Sequence, residues 1–145
     1  MAMKNALEAE GAKTKIVSPK LGTIKSAAGK EIKVDMSFLN TASVLFDAVY
    51  IPSGAKSATA LSAEPDAIHF VNEAYKHCKA IAANGDGVNF LNQSYAGVKN
   101  NEGEKKNKNL PIDSGLIIDK SPKDFINAIA QHRFWGREKS GKKPA

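Results

Sequence analysis

Ser43-Val44-Leu45-Phe46-Asp47-Ala48-Val49-Tyr50-Ile51-Pro52-Ser53-Gly54 is the stretch on which the fold class turns. Ser43–Ile51 reads as a strand. Its second half, Ala48-Val49-Tyr50-Ile51, is an unbroken apolar run stopped by Pro52-Ser53-Gly54. A run without polar alternation fits a parallel strand covered on both faces. Further along, Pro65 stands at a helix start, where its missing N–H costs nothing. Ala67, Ile68, Val71, Ala74, Tyr75 and Cys78 then share one face, while Asp66, Asn72, Glu73, Lys76 and Lys79 lie mostly on the other. A second apolar run, Ala80-Ile81-Ala82-Ala83, breaks at Asn84-Gly85-Asp86-Gly87, and Val88–Leu91 reads as one helical turn. Leu116-Ile117-Ile118 is the last strand. Ser121-Pro122-Lys123-Asp124 follows as a capping box, with Ser at N-cap, Pro at N1 and an acid at N3. The helix it opens is expected to bury Phe125, Ile126, Ile129 and Ala130 and to end near Trp135-Gly136.

Upstream of the decisive stretch, residues 2–10 carry Met3, Ala6, Leu7 and Glu10 at helical spacing, and Gly11 stops that helix. Lys13–Val17 is a short β-type run closed by Ser18-Pro19. Thr23–Ser26 and Glu31–Val34 alternate around Ala27-Ala28-Gly29, the pattern of a surface hairpin. The order helix, strand, hairpin, strand, helix, strand, helix indicates an α/β three-layer domain with a mostly parallel sheet. Such a domain normally opens on a strand, whereas this sequence opens on a helix.

The 145 residues fit one domain, since domains average about one per ~150 residues. With 42% hydrophobic and 25% charged residues the chain affords a core and is not disordered throughout. A lone Cys excludes an internal disulfide and a cysteine zinc site. No apolar run approaches the ~18 residues that span a bilayer, and residues 1–10 lack a signal-peptide core, so a cytoplasmic location is expected and no membrane partner. The net charge of +6 is concentrated in residues 99–109 and 137–145. Both stretches are poor in apolar residues and lack aromatics for base stacking. They read as a solvated loop and a flexible basic tail, with no nucleic-acid partner. The folded domain is accordingly drawn at 1–136 and the tail at 137–145.

Ser43–Gly54 resembles the C-terminal domain of large-subunit, clade 2 haem catalases. So do Asp66-Ala67-Ile68-His69-Phe70-Val71-Asn72-Glu73-Ala74-Tyr75-Lys76-His77-Cys78-Lys79-Ala80-Ile81-Ala82, Ala130-Gln131-His132-Arg133-Phe134-Trp135 and the segment Glu8–Gly22. The resemblance implies a flavodoxin-like fold of the intracellular-protease/glutamine-amidotransferase-like superfamily, placed after a catalase barrel. It implies a parent that is a homotetramer, holds haem and disproportionates hydrogen peroxide. It further implies that the first strand, central in that fold, is lacking here. The expected neighbours of that strand are Lys13–Val17 and Ala48–Ile51.

The superfamily's hydrolases carry a Cys in a strained turn after a central strand, followed by His. The matching turn here is Asn84-Gly85-Asp86-Gly87, with Gly85 in the Cys position and Asp86 in the His position. The turn holds no nucleophile, so no catalytic residue is assigned. Cys78 reads as a small buried hydrophobe rather than a reactive thiol. His69 and His77 are eight residues apart, ~80° apart round a helix, which does not make a metal pair; His132 reads as an interface or capping residue. Tyr50, Tyr75 and Tyr95 sit outside a haem-ligand context, and Tyr50 and Tyr75 read as core. A phosphate-loop reading of Asn84–Gly87 is weak, because no third Gly or Lys follows and Asp86 repels phosphate. Pro52, Ser53 and Gly54 form a second turn on the side where α/β folds bind ligands, and a small-ligand site between the two turns is a possibility the pattern leaves open. The expected function is an accessory, structural domain that stabilises a catalase oligomer, shields the entrance to its haem channel or assists its folding. No cofactor is assigned to this chain, and the expected partners are the catalase core, sister subunits and other copies of itself. The alternatives are a superfamily hydrolase or deglycase, and a chaperone-like binding module.

Overall fold

The structure is a computed structural model, and it describes residues 2–26, 28–98 and 113–140. The basic loop 99–109 and residues 141–145 lie outside the described residues.

The centre of the fold is a parallel sheet of β5 (Ala48–Ile51), β6 (Ala80–Ala83) and β7 (Leu116–Ile118), in that spatial order. All four residues of β6 are buried. Strand periodicity sends its side chains alternately to the two faces. Ile81 and Ala83 join one apolar cluster with Ile51, Val71, Phe90 and Leu116. Ala80 and Ala82 join another with Met3, Ile117, Phe125 and Ala128. The small side chains of β6 let helices approach both faces closely. On the first face lie α2 (Ala55–Ser62), α3 (Pro65–Lys76) and α4 (Asp86–Leu91); on the second lie α1 (Ala2–Ala9) and α5 (Pro122–Ala130). The three-layer, mostly parallel α/β fold is the one the sequence implies.

The start of α5 is the predicted capping box: Ser121 Oγ accepts from the Asp124 N–H at 3.3 Å, and Asp124 Oδ2 accepts from the Ser121 N–H at 3.2 Å. Its buried face is Phe125 and Ala128; Ile126 and Ile129 are half-buried and Ala130 is exposed, contrary to expectation. The predicted hairpin forms as β2 (Thr23–Lys25) against β3 (Glu31–Lys33), antiparallel, with Ile24 opposite Ile32.

Several expectations fail. Ser43–Leu45 is a 3-10 turn, so the strand begins only at Ala48. Among the described residues that strand is the sheet's edge rather than a strand covered on both faces: only Ile51 is buried, and Ala48, Val49 and Tyr50 are half-buried. The covered run is β6. Strand structure near Lys13–Val17 shrinks to β1 (Val17–Ser18), which pairs in parallel with β4 (Met36–Ser37) and not with β5. The chain before it is held by Asp35, whose Oδ2 accepts from the Ile16 N–H at 2.7 Å. Helix α2 went unnoticed because its small residues form no apolar stripe; Ala58 alone is buried.

Both long helices end in left-handed residues. After α3, the Cys78 N–H donates to Tyr75 O at 3.0 Å and the Lys79 N–H to Ala74 O at 3.1 Å, a Schellman motif with Cys78 at φ 61°. This turn swings Lys79 inward. It is 2% exposed rather than on the polar helix face. After α5, His132 takes the same place at φ 69°, and its N–H donates to Ile129 O at 2.9 Å. His132 is exposed and occupies a position that favours glycine, so its role is capping geometry. His132→Gly should raise stability by about 1 kcal/mol in chemical denaturation.

Candidate functional site

The C-terminal ends of the sheet strands bring together Pro52-Ser53-Gly54, Asn84-Gly85-Asp86-Gly87 and Asp119. Gly85 has φ 54° and ψ −127°, a conformation that side-chain-bearing residues occupy only under strain. The turn Asn84–Gly87 carries no Cys, Ser or Thr. A Cβ at Gly85 would collide with Ser53 Oγ and lie 3.0 Å from Ser53 Cβ. The Gly85 N–H, which in such a turn would face a developing oxyanion, donates instead to Asp119 Oδ1 at 2.7 Å. An anion's place is taken by a carboxylate of the chain itself.

The second glycine is equally constrained. A Cβ at Gly87 would come within 2.6 Å of Pro52 O and 2.7 Å of Ile51 O, and these backbone atoms cannot yield. The two turns that the sequence offered as walls of a ligand site are therefore in direct contact. Asn84 Nδ2 donates to the Tyr50 hydroxyl at 3.3 Å, which fixes the turn's first residue on the strand before it. Asp86 opens α4, the position the superfamily pattern gives to His.

The histidines are elsewhere. His77 and His132 stand at the C-terminal ends of α3 and α5, the opposite end of the sheet from the turn. His77 Nδ1 lies 2.8 Å from the Glu73 carbonyl oxygen. His69 lies on α3. Cys78 is completely buried, and its carbonyl accepts from the Phe134 N–H at 2.7 Å. Among the described residues no group of three or more His, Cys, Asp or Glu could hold a metal ion.

The strongest polar constellation was missed. Arg137, assigned from sequence to the flexible tail, is 4% exposed and begins no tail. It lies within a 3-10 helix, Trp135–Ser140. Its Nε and Nη2 donate to Asp113 at 2.7 and 3.1 Å, and its Nη1 donates to Lys79 O at 2.6 Å. The guanidinium also stacks 4.4 Å from the Tyr75 ring centre. This planar fork with an aromatic face is a task for Arg and not Lys. The one available signal was that both arginines of this lysine-rich chain fall at 133 and 137.

Burial, with the Asp113 charge adding and Arg137 opposing, pushes the Tyr75 phenol up to about 12. The folded state therefore holds this proton where the unfolded chain has lost it. The stabilisation is complete below pH ~10 and is lost as pH rises towards ~12, a span worth on the order of 2 kcal/mol. Tyr75→Phe should flatten the fall in stability between those pH values in alkaline denaturation. Lys79 moves the other way. Burial first, then the Arg133 charge, lowers its affinity for a proton, while Asp47 opposes. Its Nζ donates to Ser43 O at 2.7 Å.

Buried Tyr75 and half-buried Tyr50 are both engaged by the fold. Tyr75 lies under Arg137 and edge-on to Tyr95 at 5.7 Å, and Tyr50 packs 6.3 Å from Phe125.

Comparison with known proteins places this geometry. A family model described as the C-terminal domain found in long catalases matches residues 1–139. Catalase HPII of Mycobacterium avium is 39% identical over 139 residues, which is 90% of this chain and 19% of that protein. Catalase HPII of Pseudomonas aeruginosa is 31% identical over 144 residues, covering 97% of this chain and 18% of that protein. The chain thus spans about a fifth of the length of the curated relatives it matches. Among solved structures, a two-domain DJ-1/ThiJ/PfpI-like and ferritin-like protein from Anabaena variabilis superposes with a TM-score of 0.66 at 20% identity, covering 99% of this chain and 45% of that one. A ThiJ/PfpI domain protein from Brachyspira murdochii gives 0.63 at 19% identity, covering 97% and 88%.

Proposed function

Since this chain belongs to the family of C-terminal domains of long catalases, we propose that it is a non-catalytic accessory domain that stabilises the catalase oligomer or assists its folding. One observation carries the reading. The turn after β6 is strained at Gly85, and the Gly85 N–H is held by Asp119. A turn that retains its strain without its chemistry fits a scaffold role. In this reading the parent polypeptide disproportionates hydrogen peroxide, and the haem that supplies that chemistry lies in the part outside this chain. The partners are the catalase core, sister subunits and further copies. A cytoplasmic setting is part of this reading. Among the described residues no helix is long and apolar enough to cross a membrane.

The test is to assay the isolated chain. It should show no peroxide turnover above buffer and no Soret band that saturates stoichiometrically on haemin titration. It should also lack deglycase and peptidase activity, and folded Cys78 should resist a thiol-reactive probe. Carbonyl or peptide chemistry abolished by Cys78→Ala would overturn the reading in favour of a superfamily enzyme.

A further inference from the structure

Asn84-Gly85 is the one Asn-Gly pair in the 145 residues. In this dipeptide a side-chain amide is most open to attack by the chain's own backbone, because glycine puts no Cβ beside the attacking nitrogen. The attack joins the Gly85 nitrogen to Asn84 Cγ and breaks the Cγ–Nδ2 bond. The Gly85 amide proton is lost to a base, and Nδ2 takes a proton from solvent and departs as ammonia. A water then opens the cyclic imide and leaves aspartate or its β-linked isomer at position 84. Water is the only co-reactant. We propose that Asn84 is a latent site of self-deamidation, locked in the folded chain by Asp119 and the edge strand β5, so that its conversion records opening of the turn.

The lock engages both reacting groups. The Gly85 N–H donates to Asp119 Oδ1 at 2.7 Å, a charge-assisted bond. To attack, this nitrogen must leave the carboxylate and turn toward the Asn84 side chain. The departing group is held as well, since Asn84 Nδ2 donates to the Tyr50 hydroxyl at 3.3 Å. The Asn84 N–H donates to Ile51 O at 3.3 Å, and Gly87 packs against the Ile51 and Pro52 carbonyls with no room for a Cβ. Most of these anchors belong to β5, which lies at the rim of the sheet among the described residues. Gly85 and Asp119 are exposed and Asn84 is half-buried, so water reaches the turn. A segment held by a few exposed hydrogen bonds opens at lower cost than the whole domain. Once the reaction has occurred, closing the turn does not undo it. It adds a carboxylate beside Asp86 and Asp119. The β-linked isomer also inserts a methylene carbon into the main chain just before Gly85, where Ser53 already leaves no room for a Cβ. The neighbouring Asp86-Gly87 pair is less suited: the Gly87 N–H donates to Asn84 O at 3.0 Å, and a carboxylate is a poorer electrophile than an amide. The inference does not depend on the accessory role proposed above.

The experiment is a timed incubation of the full chain near neutral pH. Deamidation at position 84 is read by peptide mapping with mass spectrometry, and the β-linked isomer by isoaspartyl methyltransferase labelling. The chain unfolded in urea gives the intrinsic rate, and the folded chain should react about tenfold more slowly or less. Asp119→Gly removes the carboxylate at a left-handed residue, φ 52°, that suits glycine. It should speed conversion about tenfold, the factor that loss of a charge-assisted hydrogen bond gives. Tyr50→Phe keeps the ring, loses the hydroxyl and should speed conversion about threefold. Ala128→Gly, on α5, weakens the fold away from the turn and should leave the rate unchanged. The proposal is overturned if the folded chain reacts as fast as the unfolded one. It is equally overturned if Asp119→Gly slows the reaction, which would make the carboxylate its base, or if Ala128→Gly speeds it as much as Asp119→Gly does, which would make global unfolding its route.

Discussion

Arg137→Ala should lower the stability of the chain by about 3–5 kcal/mol, the usual cost of removing one partner from a buried ion pair. The Asp113 carboxylate would lose two hydrogen bonds and the Lys79 carbonyl one, and the Tyr75 ring would lose its stacked cation. Against the ~5–15 kcal/mol of net stability of an ordinary domain, that loss puts folding at risk. Arg137→Lys should recover part of it, since a lysine keeps the charge and loses the fork. The check is urea denaturation of both variants beside Asp113→Asn and the double variant. Near-additive losses would mean that the pair is not coupled. Removing residues 141–145, by contrast, is expected to change stability by no more than ~0.5 kcal/mol.

The second large effect is expected at the outer edge of β5. Ile51 O accepts from the Asn84 N–H, on the β6 side. Parallel ladders alternate, so the N–H and C=O groups of Ala48 and Tyr50 point away from β6, where the sheet order shows no further strand among the described residues. This is where the flavodoxin-type order puts its first strand. An open edge recruits other strands. The isolated chain should therefore self-associate, with a melting temperature that rises with concentration. An extended apolar segment supplied in cis or as a peptide should abolish the association. Four new backbone hydrogen bonds at a net ~0.5–1.5 kcal/mol each would add about 2–6 kcal/mol. Analytical ultracentrifugation with thermal melts provides the test. A monomer with a sharp, concentration-independent transition that ignores the added strand would show the edge to be self-sufficient.

The elements legible in the sequence were those whose signal is local. The Ser121–Asp124 capping box, the Pro65 helix start and the hairpin around Gly29 depend on neighbouring residues, and each formed as expected. What failed depended on tertiary context. Ala48–Ile51 is as apolar as a central strand, yet among the described residues it lies at the rim of the sheet, a placement set by strand order and not by its own residues. Lys79 follows the helical period of α3 on paper, but the left-handed Cys78 ends the helix first and turns the side chain inward. In the candidate site, the residue types of the turn Asn84–Gly87 are legible from the sequence, while the contact that holds its backbone is not. The partner, Asp119, lies 34 residues away and its approach depends on the β6–β7 pairing. Arg137 was hidden for the same reason: its partners come from two distant parts of the chain, Asp113 and the end of α3 with Tyr75 and Lys79.

In the proposed role this domain supports a catalase without performing chemistry. The most direct measurement compares the full-length enzyme that carries this domain with a version lacking it, scoring peroxide turnover per bound haem and the midpoint of thermal inactivation together. Turnover per haem is expected to stay the same while the inactivation midpoint falls and the oligomer dissociates more readily. A collapse of turnover per haem, with haem content, assembly and thermal midpoint unchanged, would contradict it.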